Sequence, residues 1–247
     1  MADVAATARV PDGHRVYAVG DIHGRLDLLD ELQCKIAADA EAAAAVNRTV
    51  VYLGDYVDRG AESRGVVARL ALRPLDGFES VHLMGNHEDF LLQFLERPEV
   101  GPDWVHNGGD LTLASYDVAP PGAWAGPDAF DEAREALLAA LPESHLAFLR
   151  GLATSHVVGD YLFVHAGIRP GVPLERQRAC DLMWIRREFL AHQGDFGKVV
   201  VHGHTPVKEV DSRPNRIGID TGAAYGGPLT AVVLEGAERR FLRTGSW

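Results

Sequence analysis

The sequence predicts an α/β fold class, and three observations carry that prediction. Five short apolar runs rich in β-branched and aromatic residues recur, each closed by glycine or polar residues. Segments whose apolar residues repeat at helical spacing follow each of the first three runs, giving β-α-β-α-β-α through the first half. The last quarter, "NRIGIDTGAAYGGPLTAVVLEGAERRFLRT", returns to strand-like sequence.

Taken in order, "RVYAVG" (15–20) is the first predicted strand. "RLDLLDELQCKIAADAEAAAA" (25–45) places Leu26, Leu29 and Leu32 on one helical face with Ile36 close to it, so a helix follows. Cys34 in that helix reads as a small buried or half-buried residue. "TVVYLG" (49–54) is the second strand and "ESRGVVARLALR" (62–73) the second helix. "SVHLMG" (80–85) and "EDFLLQFLER" (88–97) repeat the pattern. The stretch 98–126 is rich in glycine and proline and holds two of the four tryptophans; it predicts a long loop excursion over the strand ends. Within it, Trp104 and Asn107 are candidates to border a substrate cleft, and Trp104 equally fits an anchor in the core. "PDAFDEAREALLAALPESHLAFLRGL" (127–152) reads as two helices broken at Pro142, which can open the second. "DYLFVHAG" (160–167) and "KVVVHGHT" (198–205) complete the five strands.

Bulk properties narrow the function. With 47% hydrophobic and 24% charged residues among 247, the chain can bury a core. Its 35 acidic against 24 basic residues give a net charge of -11, which argues against a nucleic-acid partner. Phosphate-bearing substrates stay open, because bound divalent ions reverse the local sign. Two cysteines in no metal-ligand spacing fit a reducing compartment. The first residues, "MADVAATARVPDG", lack a signal-peptide pattern, and no apolar stretch reaches membrane-spanning length. The expectation is a cytoplasmic protein without a membrane partner.

Each of the five runs ends in a short polar motif: "GDIHG" (20–24), "GDYVDRG" (54–60), "GNHE" (85–88), "HAG" (165–167) and "HGHTP" (202–206). Ligands bind at the carboxyl ends of strands in α/β sheets. The motifs gather Asp21, His23, Asp55, Asp58, Asn86, His87, His165 and His204 there. A mixed oxygen and nitrogen set of this kind can hold two divalent ions, one carboxylate bridging them ~3.5–4 Å apart. Three histidines with carboxylates favour Mn, Fe or Zn over Mg or Ca. At average residue usage "GNHE" alone has odds on the order of one in a thousand in such a chain, and the fixed residues of "GDYVDRG" on the order of one in 100,000. Because the motifs run from residue 20 to 225, cutting the chain would split the site, and residues 1–247 are expected to form one domain.

"GDIHG…GDYVDRG…GNHE" resembles the signature of the phosphoprotein phosphatases among the calcineurin-like metallophosphoesterases, nearest the bacterial and phage lambda-type serine/threonine branch. The resemblance runs from Gly20 to about Pro228. It implies two mixed β-sheets in a sandwich flanked by helices, with a dimetal site at one end. It also implies that Asp21 and His23 hold the first ion, that Asp55 bridges both, and that Asn86, His165 and His204 complete the second. A bridging hydroxide would attack phosphorus in line. His87 would be the general acid with Asp58 orienting it, and Arg59 would bind phosphate oxygens. Arg186, in "DLMWIRREF", resembles the second phosphate-binding arginine of bacterial members, and Tyr225, in "GAAYGG", the family's active-site tyrosine. "HAG" stands where eukaryotic members have "HGG", and Pro206 stands where the wider superfamily has a second histidine in GHxH; both departures fit the bacterial phosphoprotein phosphatases. His202 reads as outer support for the site, and His14, His82, His106, His145, His156 and His192 as structural.

Three functions follow. The motifs favour a serine/threonine protein phosphatase, with dual specificity open, acting on a phosphoprotein or small phosphoester. The alternatives are a symmetrical diadenosine tetraphosphatase or related nucleotide hydrolase, and a non-catalytic phosphoprotein-binding module. Retention of the Asp58–Arg59 pair favours the first, and the filled ligand positions disfavour the last.

Overall fold

The computed structural model describes residues 8–43, 45, 47–122 and 124–245. The alternating strands and helices of the first half wind into a sheet with order β10-β9-β1-β2-β3. Here β1 is His14–Val19, β2 Asn47–Tyr52, β3 Glu79–His82, β9 Thr230–Glu235 and β10 Glu238–Arg243. Strands β1, β2 and β3 pair in parallel, as right-handed βαβ crossovers require, while β9 runs antiparallel to both β1 and β10. A second sheet has order β4-β5-β6-β8-β7, with β4 Ser155–Val158, β5 Tyr161–Val164, β6 Val199–His202, β7 Asp211–Ser212 and β8 Arg216–Gly218. Its three central strands are parallel and its edges antiparallel.

Side chains alternate across each strand, and both faces of both sheets are apolar. Val16 and Ala18 of β1, Val51 of β2 and Val232 and Leu234 of β9 pack against Tyr161, Phe163, Val199, Val201 and Ile217, forming the core between the sheets. The intervening residues Tyr17, Val19, Val50, Tyr52, Ala231 and Val233 face helices on the outside of the first sheet. Those helices are α1 (Leu26–Glu41), α2 (Ser63–Leu72), α3 (Asn86–Glu96), α4 (Gly101–Trp104), α5 (Asp110–Ser115), α6 (Pro127–Ala140) and α7 (Glu143–Arg150). Leu162, Val164 and Val200 face α8 (Ala179–Trp184) and α9 (Arg187–Ala191), which cover the second sheet. The predicted layering of helix, sheet, sheet and helix is observed.

Two readings are corrected, and one strand was not expected. Residues 98–115 are not loop: a 3-10 turn, α4, a π turn at Val105–Gly109 and α5 follow one another, and Trp104 is fully buried. Gly101 abuts the rings of Phe94 and Phe130, and Gly109 the ring of Trp104, so these glycines serve close packing rather than a turn. Cys34 is exposed, because α1 turns Leu32, Gln33 and Ile36 inward instead. Strand β4 had no expectation; it is four residues long and lies at a sheet edge. Among the described residues, no helix is long and apolar enough to cross a membrane.

Candidate metal centre

The carboxyl ends of β1, β2, β3, β5 and β6 deliver the five motifs to one end of the sandwich. The turns are tight enough that His23, Asp55, Asp58, Arg59 and His204 all adopt left-handed backbone, with φ of 46°, 51°, 70°, 67° and 65°. Asp and His tolerate that region better than most residues. Arg59 has no such intrinsic tolerance; its amide donates to Gly108 O at 3.1 Å, and Gly108 itself sits at φ 104°. A side chain at 108 would meet Arg59 N at 2.7 Å, so that approach needs glycine. Beneath the turn lies Glu88, whose Oε2 accepts from the amides of Asp55 at 2.8 Å and Gly85 at 3.0 Å. Its Oε1 accepts from Tyr56 at 2.7 Å and Val57 at 3.1 Å. One buried carboxylate therefore fixes the backbone that presents Asp55.

The donor atoms converge. His23, Asp55 and His87 form one buried group and Asp55, His165 and His204 a second, each with its candidate ligand atoms within 4.8 Å of one another. Asp55 belongs to both: its Oδ2 lies 3.5 Å from His23 Nε2 and its Oδ1 3.3 Å from His165 Nε2. Asn86 Oδ1 lies 3.0 Å from His165 Nε2. Asp21 is in neither group; its carboxylate accepts from the His204 amide, at 2.9 Å to Oδ2, at the rim of the same site.

Two observations test whether this set fits divalent ions. His165 Nδ1 contacts the Leu53 carbonyl at 2.9 Å and His23 Nδ1 the Val57 carbonyl at 2.9 Å. A carbonyl only accepts, so each Nδ1 carries the proton and Nε2 keeps a lone pair. At His165, Asn86 Oδ1 and Asp55 Oδ1 lie 3.0 and 3.3 Å from that lone-pair nitrogen with no hydrogen on any of the three, an arrangement a cation satisfies. Burial also pushes Asp21 well above the usual carboxyl range, with Asp220 and Asp55 adding repulsion. Asp220 is raised too, by burial and Asp55. Burial lowers His23 to about 3 and His204 to about 2, which keeps both imidazoles neutral, with a ring lone pair on each. Crowded carboxylates and neutral imidazoles match a pair of divalent ions.

His87 stands apart by its partner. Its Nδ1 donates to Asp58 Oδ2 at 2.7 Å, both side chains being buried. Burial works against protonation of His87, and the carboxylates of Asp55 and Asp58 overcome it, raising its pKa above the ordinary value. Asp58 also accepts from Trp104 Nε1 at 3.0 Å and from Thr112 Oγ1 at 2.6 Å. Two arginines close the site: Arg59 Nη1 lies 2.7 Å from His23 Nε2, and Arg186 Nε donates to His204 Nε2 at 2.9 Å. Tyr225 is 66% exposed, its ring 5.7 Å from the Arg59 guanidinium carbon.

Every residue singled out from the motifs is thus brought to one end of the molecule. Asn107 turns away, donating from Nδ2 to Asp103 O, and Trp104 anchors beneath Asp58 rather than lining a cleft. Sequence reasoning missed Glu88, Asp220, Thr112 and Ser63, whose hydroxyl accepts from the Asp58 amide at 3.0 Å. Asp220 had a readable signal, since "GIDTG" follows β8 as the other motifs follow their strands. Thr112 had none, lying 54 positions from its partner.

Relatives agree with this architecture. A bis(5'-nucleosyl)-tetraphosphatase PrpE [asymmetrical] of Bacillus thuringiensis (strain Al Hakam) is 28% identical, covering 87% of this chain and 88% of its own. Its namesake from Anoxybacillus flavithermus is 29% identical over the same shares of the two chains. Among solved structures, a chain provisionally assigned as a diadenosine tetraphosphatase superposes with a TM-score of 0.67 at 22% identity, covering 98% of this chain and 99% of that one. A Saccharomyces cerevisiae protein serine/threonine phosphatase superposes with a TM-score of 0.54 at 12% identity, covering 99% and 87%. The sequence model of the calcineurin-like phosphoesterases matches residues 14–226, which spans all five motifs, and the chain belongs to that family.

Proposed function

We propose that the protein hydrolyses bis(5'-nucleosyl) tetraphosphates, splitting a phosphoanhydride to give a nucleoside triphosphate and a nucleoside monophosphate. The observation that carries this reading is the match to relatives of that name over 87% of the chain. The motifs alone ranked a serine/threonine protein phosphatase first and a symmetrical diadenosine tetraphosphatase second; the relatives favour the dinucleotide and the asymmetrical cut.

Asp21, His23, Asp55, Asn86, His165 and His204 would hold two divalent ions, Mn by preference with Fe or Zn as alternatives, which would neutralise phosphate charge and lower the pKa of bound water. Arg59 and Arg186, already within hydrogen-bond reach of the ligand imidazoles, hold the non-bridging phosphate oxygens. Hydrolysis would form a bond from a water oxygen to phosphorus in line with the bridging oxygen, break that P–O bond with its electron pair leaving on the departing phosphate, and release the water's proton to solvent. His87, with Nδ1 held by Asp58, presents Nε2 to give the leaving oxygen its proton.

The Asp58–His87 pair also supports the second reading. A phosphate leaves as a stable anion, whereas the alkoxide of a phosphoserine needs a proton, so a well-held general acid suits a phosphoprotein. The test is a paired assay with Mn of diadenosine tetraphosphate against a phosphothreonine peptide, with nucleotide products separated. Conversion of the dinucleotide to ATP and AMP faster than the peptide is dephosphorylated is the expected result. Two ADP would make the cut symmetrical, and preference for the peptide would return the protein to the phosphatases.

A further inference from the structure

Between α8 and α9, beside the candidate metal centre, lies a cavity of 380 Å³ lined in part by Arg169, Trp184, Arg186 and Arg187. That volume lies within the range of small-ligand pockets, roughly 300–1,000 Å³. Trp184 leaves 39% of its surface exposed, a large apolar face open to the cavity's side of the molecule. Its two aromatic neighbours, Phe90 at 5.1 Å and His204 at 6.3 Å, both meet it near the perpendicular, at 84° and 78°. Those contacts fix the indole, and among the described residues no ring stacks parallel on it.

Charge points the same way. The cavity holds three arginines against two carboxylates, Asp181 and Glu188, in a chain whose net charge is -11. Arg169 is paired with both carboxylates. Arg186 reaches His204, and Arg187 forms no ion pair among the described residues. A phosphate held by Arg186 at the candidate metal centre would leave the rest of a substrate within the cavity that Arg187 and Trp184 also line.

We infer that this cavity is a nucleoside subsite: Trp184 stacks on a purine base of the substrate while Arg187 holds the phosphate between that base and the reacting phosphorus. The inference rests on the dinucleotide reading above and adds what recognises the nucleoside, which phosphate chemistry alone does not. Neither residue touches the reacting atoms, so both set specificity rather than rate. A base stacked on an aromatic side chain contributes about 5- to 150-fold in affinity.

The experiment compares wild type, Trp184→Ala, Trp184→Phe and Arg187→Ser on diadenosine tetraphosphate and on p-nitrophenyl phosphate, which has no base to stack. Trp184→Ala should raise KM for the dinucleotide about tenfold or more and change p-nitrophenyl phosphate turnover less than twofold. Trp184→Phe should recover most of the loss. Arg187→Ser, at an exposed position, should raise the dinucleotide KM several-fold with an unchanged melting temperature. Equal losses on both substrates, or no loss on the dinucleotide, would overturn the subsite. If the wild type leaves the dinucleotide uncut, the functional reading fails and calorimetry with AMP and ribose 5-phosphate judges the subsite separately. Tighter binding of AMP that disappears in Trp184→Ala supports it; equal binding of the two by the wild type overturns it.

Discussion

Thr112→Val should loosen the catalytic pair from a distance. Thr112 donates its hydroxyl to Asp58 Oδ1 at 2.6 Å and accepts from the Asp58 amide at 2.9 Å, with both residues fully buried. Valine keeps the shape and removes the hydroxyl. Asp58 then loses one hydrogen bond to a buried carboxylate, worth about 1.5–3 kcal/mol. Its amide keeps Ser63 Oγ at 3.0 Å, so that side of the loss is small. The sum is a destabilisation of about 2–4 kcal/mol, or roughly 5–15 °C in melting temperature for a chain of this size. Asp58 is also what orients His87, so kcat should fall at least several-fold while KM for a small phosphoester holds. Urea unfolding followed by fluorescence gives the first number and steady-state kinetics the second. A variant within 1 kcal/mol of wild type and fully active would refute the claim that this hydroxyl holds Asp58.

Three further outcomes are expected. His87→Asn should cut turnover of a phosphoserine peptide by ~10²–10⁴ and that of p-nitrophenyl phosphate far less, because nitrophenolate leaves without a proton; equal losses would remove His87 from the acid role. Adding Mn²⁺ at about 100 times its dissociation constant to chelator-stripped protein should stabilise it by about 2.7 kcal/mol, and Asp55→Asn, which removes the shared ligand, should lose most of that gain in a melting scan. His82, with its ring stacked on Tyr52 at 5.1 Å, is lowered by burial to about 4, below its unfolded value of 6.5. The unfolded chain therefore binds the extra proton first, and stability should fall by up to about 3 kcal/mol as pH drops from 6.5 to 4. His82→Phe should make that limb shallower by about that amount, the lowered His23, His202 and His204 keeping the rest, and an unchanged limb would show that His82 does not contribute.

What was legible in the sequence was whatever is local. A short apolar run rich in β-branched residues, a helix with apolar residues at i, i+3 and i+4, and a glycine-bounded polar turn at a strand end each declare themselves within ten residues. This is why Asp21, Asp55, Asn86, His87, His165 and His204 can be gathered from the sequence alone. Glu88 sat inside a recognised motif, yet its work is done on amides more than thirty positions earlier, which spacing cannot show. The segment 98–115 was misread because glycine and proline mark turns in general, whereas here Gly101 and Gly109 let aromatic rings close onto a helical backbone. Trp104 and Thr112 reach Asp58 only through that packing, so the support of the catalytic pair stayed hidden with it.

The strained backbone separates what the fold needs from what the chemistry needs. Of the left-handed residues at the site, the three candidate ligand positions His23, Asp55 and His204 bring side chains that tolerate the conformation. Arg59, at φ 67°, does not belong to that tolerant group, and its side chain contributes little to the core: it touches His23 Nε2 and the ring of Tyr225. Its backbone bond to Gly108 O would survive replacement by any residue but proline. Glycine accepts the left-handed region without steric cost, a relief of about 1 kcal/mol, partly offset by the entropy of a freer unfolded chain. Arg59→Gly should therefore leave stability within about 1 kcal/mol of wild type, while kcat/KM for any phosphoester falls by at least a hundredfold with the loss of a charge-assisted phosphate contact. Opposite results, a destabilisation above 2 kcal/mol with activity retained, would mean that Arg59 is kept for structure and that phosphate is held elsewhere.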